Sequence, residues 1–255
     1  MPPPPSEPFI KVGREDSPII VMPMMSAIRC FALGFVILAF LTAAYAYPNM
    51  PDMMATHWGI SGEPDGFSER DIGVFLMPLL TLAIFGIFVV LPELDPLKRN
   101  YPSFIREYDT FAALMVIFLY YVYVLTLIYN LGVQFELTRF LAPALGIIIF
   151  YMGVLLKKAK QNWFVGIRTP WTLSSEGVWE RTHRATGSIF QAAGVLAFIG
   201  VIVPAALLAS VAVLIGAALF GFIYSYMEFR KEKTAPAGPG GRKAQKRAPK
   251  RATGG

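Results

Sequence analysis

Long apolar runs alternate along this chain with short polar segments, and their lengths predict its elements. Ile28 to Tyr47 is apolar apart from Arg29 and Thr42, which is about the 20 residues a helix needs to cross a hydrocarbon core. Further runs of that kind stand at Ile72 to Leu91, Phe111 to Leu131 and Leu141 to Leu156. Between Ile189 and Tyr226 the apolar run is nearly twice a span, with Pro204 at its middle. A proline there lacks the amide donor and breaks the run into a hairpin of two helices. The pattern therefore predicts an all-α fold, a polytopic integral membrane helix bundle of six transmembrane helices. Residues 1–26, with Pro2 to Pro5, Pro8, Pro18 and Pro23, read as a disordered, proline-rich arm. Ala44-Tyr45-Ala46 also fits a signal-peptide cleavage site, but the apolar stretch is long for a cleaved signal and lies deep behind that arm.

Composition narrows the class in the same direction. Hydrophobic residues make up 55% of the chain and its mean hydropathy is +0.52, hard values for a soluble domain of this size to bury. Charge then sets the orientation. With the N-terminus in the cytoplasm, all of the 23 Lys and Arg residues except Arg70 and Arg139 fall on the cytoplasmic side, as the positive-inside rule requires. Both termini are then cytoplasmic, and residues 228–255 form a disordered basic tail of net charge +7, which leaves the rest of the chain close to neutral. The tail suits anionic lipid, and without interleaved aromatics no specific nucleic-acid binding is expected. The single cysteine, Cys30, reads as a buried small hydrophobe.

Two polar loops are long enough to carry function. The first, 48–71, lies outside and joins the two helices of an N-terminal domain at 27–91. Pro51-Asp52 and Pro64-Asp65-Gly66 are turn signals, so the loop is compact and ordered. His57 with Asp52, Glu63 and Asp65 matches no closed zinc pattern, and no metal or other cofactor is expected; His57 and Trp58 read as residues of the aromatic interface belt.

The second loop, 157–188, lies inside and belongs to a four-helix domain at 92–227. Lys157, Lys158 and Lys160 anchor the end of the fourth span at the headgroups. Gly166 permits a tight bend, and Pro170 forces Thr169 into extended backbone. Ser174 reads as a helix N-cap with Glu176 in the first turn. On the helix that follows, Glu176, Glu180 and His183 share a face and Glu180 can pair with Arg184. Arg168, His183 and Arg184 beside Trp171 and Trp179 could form an anion or peptide-carboxylate site; the alternative is a headgroup-belt surface with solvated charges.

Chemistry in the usual sense finds little footing. Ser174, Ser175, Thr169 and Thr182 offer no spacing that sets a nucleophile beside a base, so an enzyme is not expected. The span interiors carry Thr42, Thr81, Thr126, Gln191 and Ser210 but no charged residue deeper than a helix end, which leaves a proton or ion carrier without a relay.

The inner loop nevertheless resembles, almost residue for residue, the signature of the SdpI-like family. The matching residues are Asn162, Gly166-Ile167-Arg168-Thr169-Pro170-Trp171-Thr172, Ser174, Glu176, Val178-Trp179, Thr182-His183-Arg184 and Gly187. The outer loop is similar to the domain of unknown function that occupies the N-terminal part of the same family. There the matches are Tyr47-Pro48, Pro51-Asp52, His57-Trp58, Gly62 and Pro64-Asp65. Together they cover about Ala27 to Tyr226. The resemblance implies a multi-pass protein of a prokaryotic cell (plasma) membrane that gives immunity to a secreted toxic peptide. It also implies signalling, by sequestering a cytoplasmic repressor protein at the membrane. The alternative is a transporter or enzyme acting on a lipid or small metabolite. The arm and the tail depart from the family pattern.

Overall fold

The computed structural model describes residues 25–59 and 62–234; the proline-rich arm and most of the basic tail lie outside these. The first helix, α1 (Ala27–Ala46), starts at Ser26, whose Oγ accepts the Arg29 amide at 3.2 Å. After a short 3-10 turn come two strands, β1 (Met53–Trp58) and β2 (Pro64–Glu69), and then α2 (Arg70–Leu94). A second 3-10 segment, Lys98–Ser103, leads to α3 (Ile105–Asn130) and α4 (Leu137–Lys158). The chain closes with the short α5 (Pro170–Ser174), α6 (Glu176–Ile199) and α7 (Pro204–Thr234), the last two parted at the expected proline.

Five of the described helices, α1, α2, α3, α4 and α7, are long and apolar enough to cross a membrane. The sixth expected span falls in α6, whose first turns carry Glu176, Glu180, Arg181 and Arg184 and whose apolar stretch starts only at Ile189. Exposed residues such as Leu38, Leu79, Ile87, Ile215 and Leu219 clothe the bundle, the arrangement expected where hydrocarbon is the solvent.

Several expectations are corrected here. The polar segment after α1 is an antiparallel hairpin in which Met53 pairs with Glu69, Met54 with Ser68 and Ala55 with Phe67, with irregularities on either side of His57. Its free ends are not left loose: Asn130, at the end of α3, donates to the Ala55 carbonyl at 3.0 Å and accepts the Ala55 amide at 2.8 Å. One side-chain amide thus does for the edge of β1 what a neighbouring strand would do. Cys30 is exposed, not buried, because it lies on the outer face of α1. Residues 228–234 are not tail but the last turns of α7.

Packing also divides the chain differently from 27–91 and 92–227. Helix α3 packs on α1 and α2 in one group and also on α4, while in a second group α6 packs between α4 and α7. In the first group Ala39, Ala43, Met54, Val74, Tyr123 and Leu127 form one buried core. Near the start of α1, Arg29 Nε meets the buried Asp109 of α3 at 2.8 Å and Ser26 Oγ donates to the same carboxylate at 2.7 Å.

In the second group the seam between α4 and α6 is made of glycine. Gly146 and Gly153 on α4 face Gly194 and Gly187 on α6, so closely that a Cβ at Gly153 would stand 2.5 Å from the Gly187 carbonyl oxygen. The spacing of seven residues on both helices keeps the small positions on one seam.

Candidate functional site

The inner loop is held from within by Asn162, which is fully buried. Its Nδ2 donates to the carbonyls of Lys160 at 2.9 Å and Val165 at 3.0 Å. Its Oδ1 accepts the amides of Phe164 at 2.9 Å and Val165 at 2.6 Å. Every bond the amide makes is to backbone, so this side chain sets the path of the turn.

The next bend brings the loop onto α6. Gly166 has a φ of +117°, and a Cβ there would stand 2.2 Å from His183 Nε2; the position needs glycine on both counts. That nitrogen accepts the Ile167 amide at 2.9 Å, and Nδ1 bonds the Trp179 carbonyl at 2.8 Å. Accepting at Nε2 fixes the neutral tautomer with its proton on Nδ1. Trp179 stacks on the imidazole at 3.9 Å and donates its indole N–H to the Ala159 carbonyl at 2.7 Å. His183 and Trp179 are therefore core, not surface.

Burial pushes the His183 pKa from its ordinary 6.5 down to about 4, which gives a pH prediction. Above 6.5 the imidazole is neutral folded or unfolded. As pH falls from 6.5 towards 4 the unfolded chain takes a proton that the folded chain refuses, so stability is lost, on the order of 3 kcal/mol over the window. The thermal midpoint in detergent should drop between pH 6.5 and 5, above the range where carboxylates titrate, and His183→Gln should flatten that drop.

Beyond the bend, Thr169 caps α5 with Pro170 at its first position, and Thr169 and Thr172 bond each other reciprocally in a capping box. Thr169 Oγ1 also meets Ser225 Oγ of α7 at 3.1 Å, and Trp171 packs on Phe222 and Tyr226 of the same helix. The cap of α6 is Ser175, which accepts the Val178 amide at 3.2 Å. Ser174 instead closes α5. Glu180 pairs with Lys160 at 2.5 Å, in place of the expected Arg184, and that contact lowers its pKa. Thr182 is buried; Glu176 and Arg184 are exposed.

The anion site proposed from sequence is thus not assembled. His183 and Trp179 are buried, Trp171 sits on α7, and the exposed Arg168 donates to the Trp163 carbonyl at 2.5 Å. What the loop does present is Trp163, 49% exposed, and Phe164, 37% exposed, beside Arg168.

Sequence reading missed the residues that fasten this loop to the first three helices. Asp95, 2% exposed at the end of α2, accepts the amides of Leu97 at 2.7 Å and Trp163 at 2.8 Å and the Tyr101 hydroxyl at 3.2 Å. Asn100 donates to the Gln161 carbonyl at 2.7 Å, and Gln161 to the Thr172 carbonyl at 2.6 Å. Also missed was Arg181, which forks to Glu228 at 2.6 Å and Glu232 at 2.8 Å on α7. The sequence held a hint of each: an acid directly after an apolar helix, where the dipole disfavours it, and two glutamates four apart in a basic segment.

Two cavities adjoin the loop. A polar one of about 270 Å³ is walled by Arg99, Asn100, Lys160, Gln161, Glu176 and Glu180, among others. An apolar one of about 380 Å³ lies beneath, between Phe88, Tyr108, Met152, Phe164, Ile167 and Phe190.

At the other end of α2, whose 25 residues span about 37 Å, stands the hairpin. Pro51 and Asp52 are exposed, and Asp52 pairs with Arg70. His57 meets Asp65 at 2.5 Å across the strands. Trp58 packs edge-on against Tyr129 at 5.6 Å. Gly62, at a φ of +84°, turns the chain before Pro64 opens β2. Among the described residues no group of His, Cys, Asp and Glu could hold a metal ion.

Comparison with known proteins bears out the resemblance. Residues 158–225 match the SdpI/YfhL protein family, and residues 34–82 match a domain of unknown function, DUF1648. The chain is 26% identical over 159 residues to the immunity protein SdpI of Bacillus subtilis (strain 168), covering 62% of this chain and 74% of that protein. No solved structure matches. With its apolar helices and these matches, the chain is a multi-pass cell-membrane protein.

Proposed function

We propose that the chain protects its cell from a secreted toxic peptide, with six membrane crossings, both termini in the cytoplasm, the hairpin outside and the Asn162 loop inside. The observation that carries this is the likeness to an immunity protein, and the two family models that match the chain fall on the two ordered polar assemblies at opposite ends of α2. The charge distribution supports the orientation. On the inside, Trp163, Phe164 and Arg168 form an exposed aromatic and cationic surface on a loop that Asn162, Asp95 and His183 hold in place. Such a surface suits a cytoplasmic protein partner, and signalling by holding a repressor at the membrane is the finer form of this reading.

The test follows from what each side chain touches. Trp171 supports α7, so its loss mixes stability with function. Trp163 and Arg168 are exposed, and replacing either by alanine should cost about 1 kcal/mol or less. Both variants should insert and accumulate like the parent yet lose protection or signalling. Full activity in both removes the inner-surface assignment. A second reading, a carrier or enzyme for a lipid or small metabolite, draws on the apolar cavity beneath the loop. Thermal stabilisation by such a compound, in a chain that gives no protection, would select it.

A further inference from the structure

The Asn130 clamp leaves the hairpin lopsided. Strand β1 faces α3 and has its edge closed at Ala55, whereas beyond β1 no hydrogen bond among the described residues reaches the main chain of residues 64–68. The outer edge of β2 is open. Along it exposure alternates: Glu63, Asp65, Phe67 and Glu69 point out, with Pro64, Gly66 and Ser68 half-buried between them. Phe67 is 58% exposed. Of the three carboxylates, Asp65 is engaged by His57, and the other two have no ionic partner among the described residues. The nearby Arg70 is held by Asp52.

We propose that this edge takes a third strand: an extended segment of a secreted peptide with basic residues at alternate positions, one of them laid over the Phe67 ring. The inference rests on the hairpin lying outside, as in the proposed function, and names the kind of peptide it meets. Unpaired N–H and C=O groups of an edge strand are a template for an incoming strand, and alternate side chains supply the selectivity. Three carboxylates on the alternate positions of one face, at 63, 65 and 69, attract cations spaced in the same way and repel anionic headgroups. It equally repels the β2 edge of a second copy, which excludes self-pairing through this edge. Pro64 at the first strand position is compatible with an edge.

The test uses the full chain in phosphatidylcholine nanodiscs and a synthetic peptide of alternating Lys and Val. Its controls are a Glu and Val analogue and two Lys and Val analogues, N-methylated at the Val or at the Lys positions. The Lys and Val peptide should bind, the acidic analogue should not, and one of the methylated analogues should bind about tenfold more weakly. The double variant E63Q/E69Q, which alters exposed side chains without ionic contacts, should weaken binding by a similar factor. Equal binding of all three cationic peptides would reduce the site to charge attraction and overturn the strand, as would a double variant that binds like the parent. The two readings separate cleanly. Cells that are protected equally by the parent and E63Q/E69Q keep the immunity and discard the strand site. A chain that binds the peptide as described but protects no cell keeps the strand site and discards the immunity.

Discussion

Gly153→Leu should prevent α4 and α6 from assembling, and even Gly153→Ala should lower the thermal midpoint sharply. A Cβ at Gly153 meets the Gly187 carbonyl oxygen at 2.5 Å, and one at Gly187 meets the Gly153 carbonyl at 2.7 Å. Both obstacles are backbone, so neither can step aside by changing rotamer. The helices must part, and parting them loosens the Gly146 and Gly194 contact further along the same seam. A cost of about 3 kcal/mol or more is expected for alanine, at the upper end for overpacking in a close-packed interior. Gly216 on α7 is the control, since a Cβ there meets nothing within 4 Å. Gly216→Ala should be neutral or slightly stabilising, by removing backbone freedom from the unfolded chain. The measurement is thermal unfolding of the purified variants in one detergent. Equal midpoints for Gly153→Ala and Gly216→Ala would mean that the seam is looser than described.

Asn162→Ala should undo the inner loop while leaving the bundle in the membrane. Alanine strands the amides of Phe164 and Val165 and the carbonyls of Lys160 and Val165. Unmade bonds to buried groups cost about 1–3 kcal/mol each. Part of that is recovered as the loop opens to water, so a net loss of about 3–4 kcal/mol in the order of the loop is expected. With it goes the turn that aims the Trp163 amide at Asp95. Asn162→Asp should fail as well, because it keeps the acceptor but sets a charged oxygen against two carbonyls. Limited proteolysis reads the effect directly: cleavage within residues 159–175 should rise in both variants, and protection should fall with it. Parental resistance to cleavage in Asn162→Ala would move the organising role elsewhere.

The helices were legible because lipid-facing helices declare themselves by length and apolarity, and Pro204 broke the last run where its chemistry says it should. The expected sixth span falls in a helix, α6, that is polar for its first three turns and is not among the five described helices long and apolar enough to cross a membrane. The hairpin was missed for a physical reason. In Met53 to Trp58 the side chains do not alternate between apolar and polar, and the irregular pairing around His57 interrupts the period in β1. Strand β2 alternates in exposure but sets Pro64, Gly66 and Ser68 on its half-buried positions. The one-residue error at the α6 cap has a similar cause. Two serines stand side by side, and only the formation of α5, which uses Ser174 as its last residue, leaves the cap to Ser175. Local spacing allowed Glu180 to reach Arg184, but Lys160 arrives from α4 and takes it. His183 sits in a polar stretch between Arg181 and Arg184 in sequence, so nothing short of the loop folding over it reveals that it is buried.

Asp95 bears on how the molecule can move. The carbonyl end of α2 repels a carboxylate, so what keeps this one in place is the set of protons offered to it, one of them by Trp163 from the far side of the molecule. Carriers that work by alternating access rock one bundle against the other around a central site. A stroke of that sort here would pull the Trp163 amide away from a carboxylate that is 2% exposed. The loop after α4 is thereby tied to the end of α2, and any motion of one against the other at this end has to break the bond between Trp163 and Asp95.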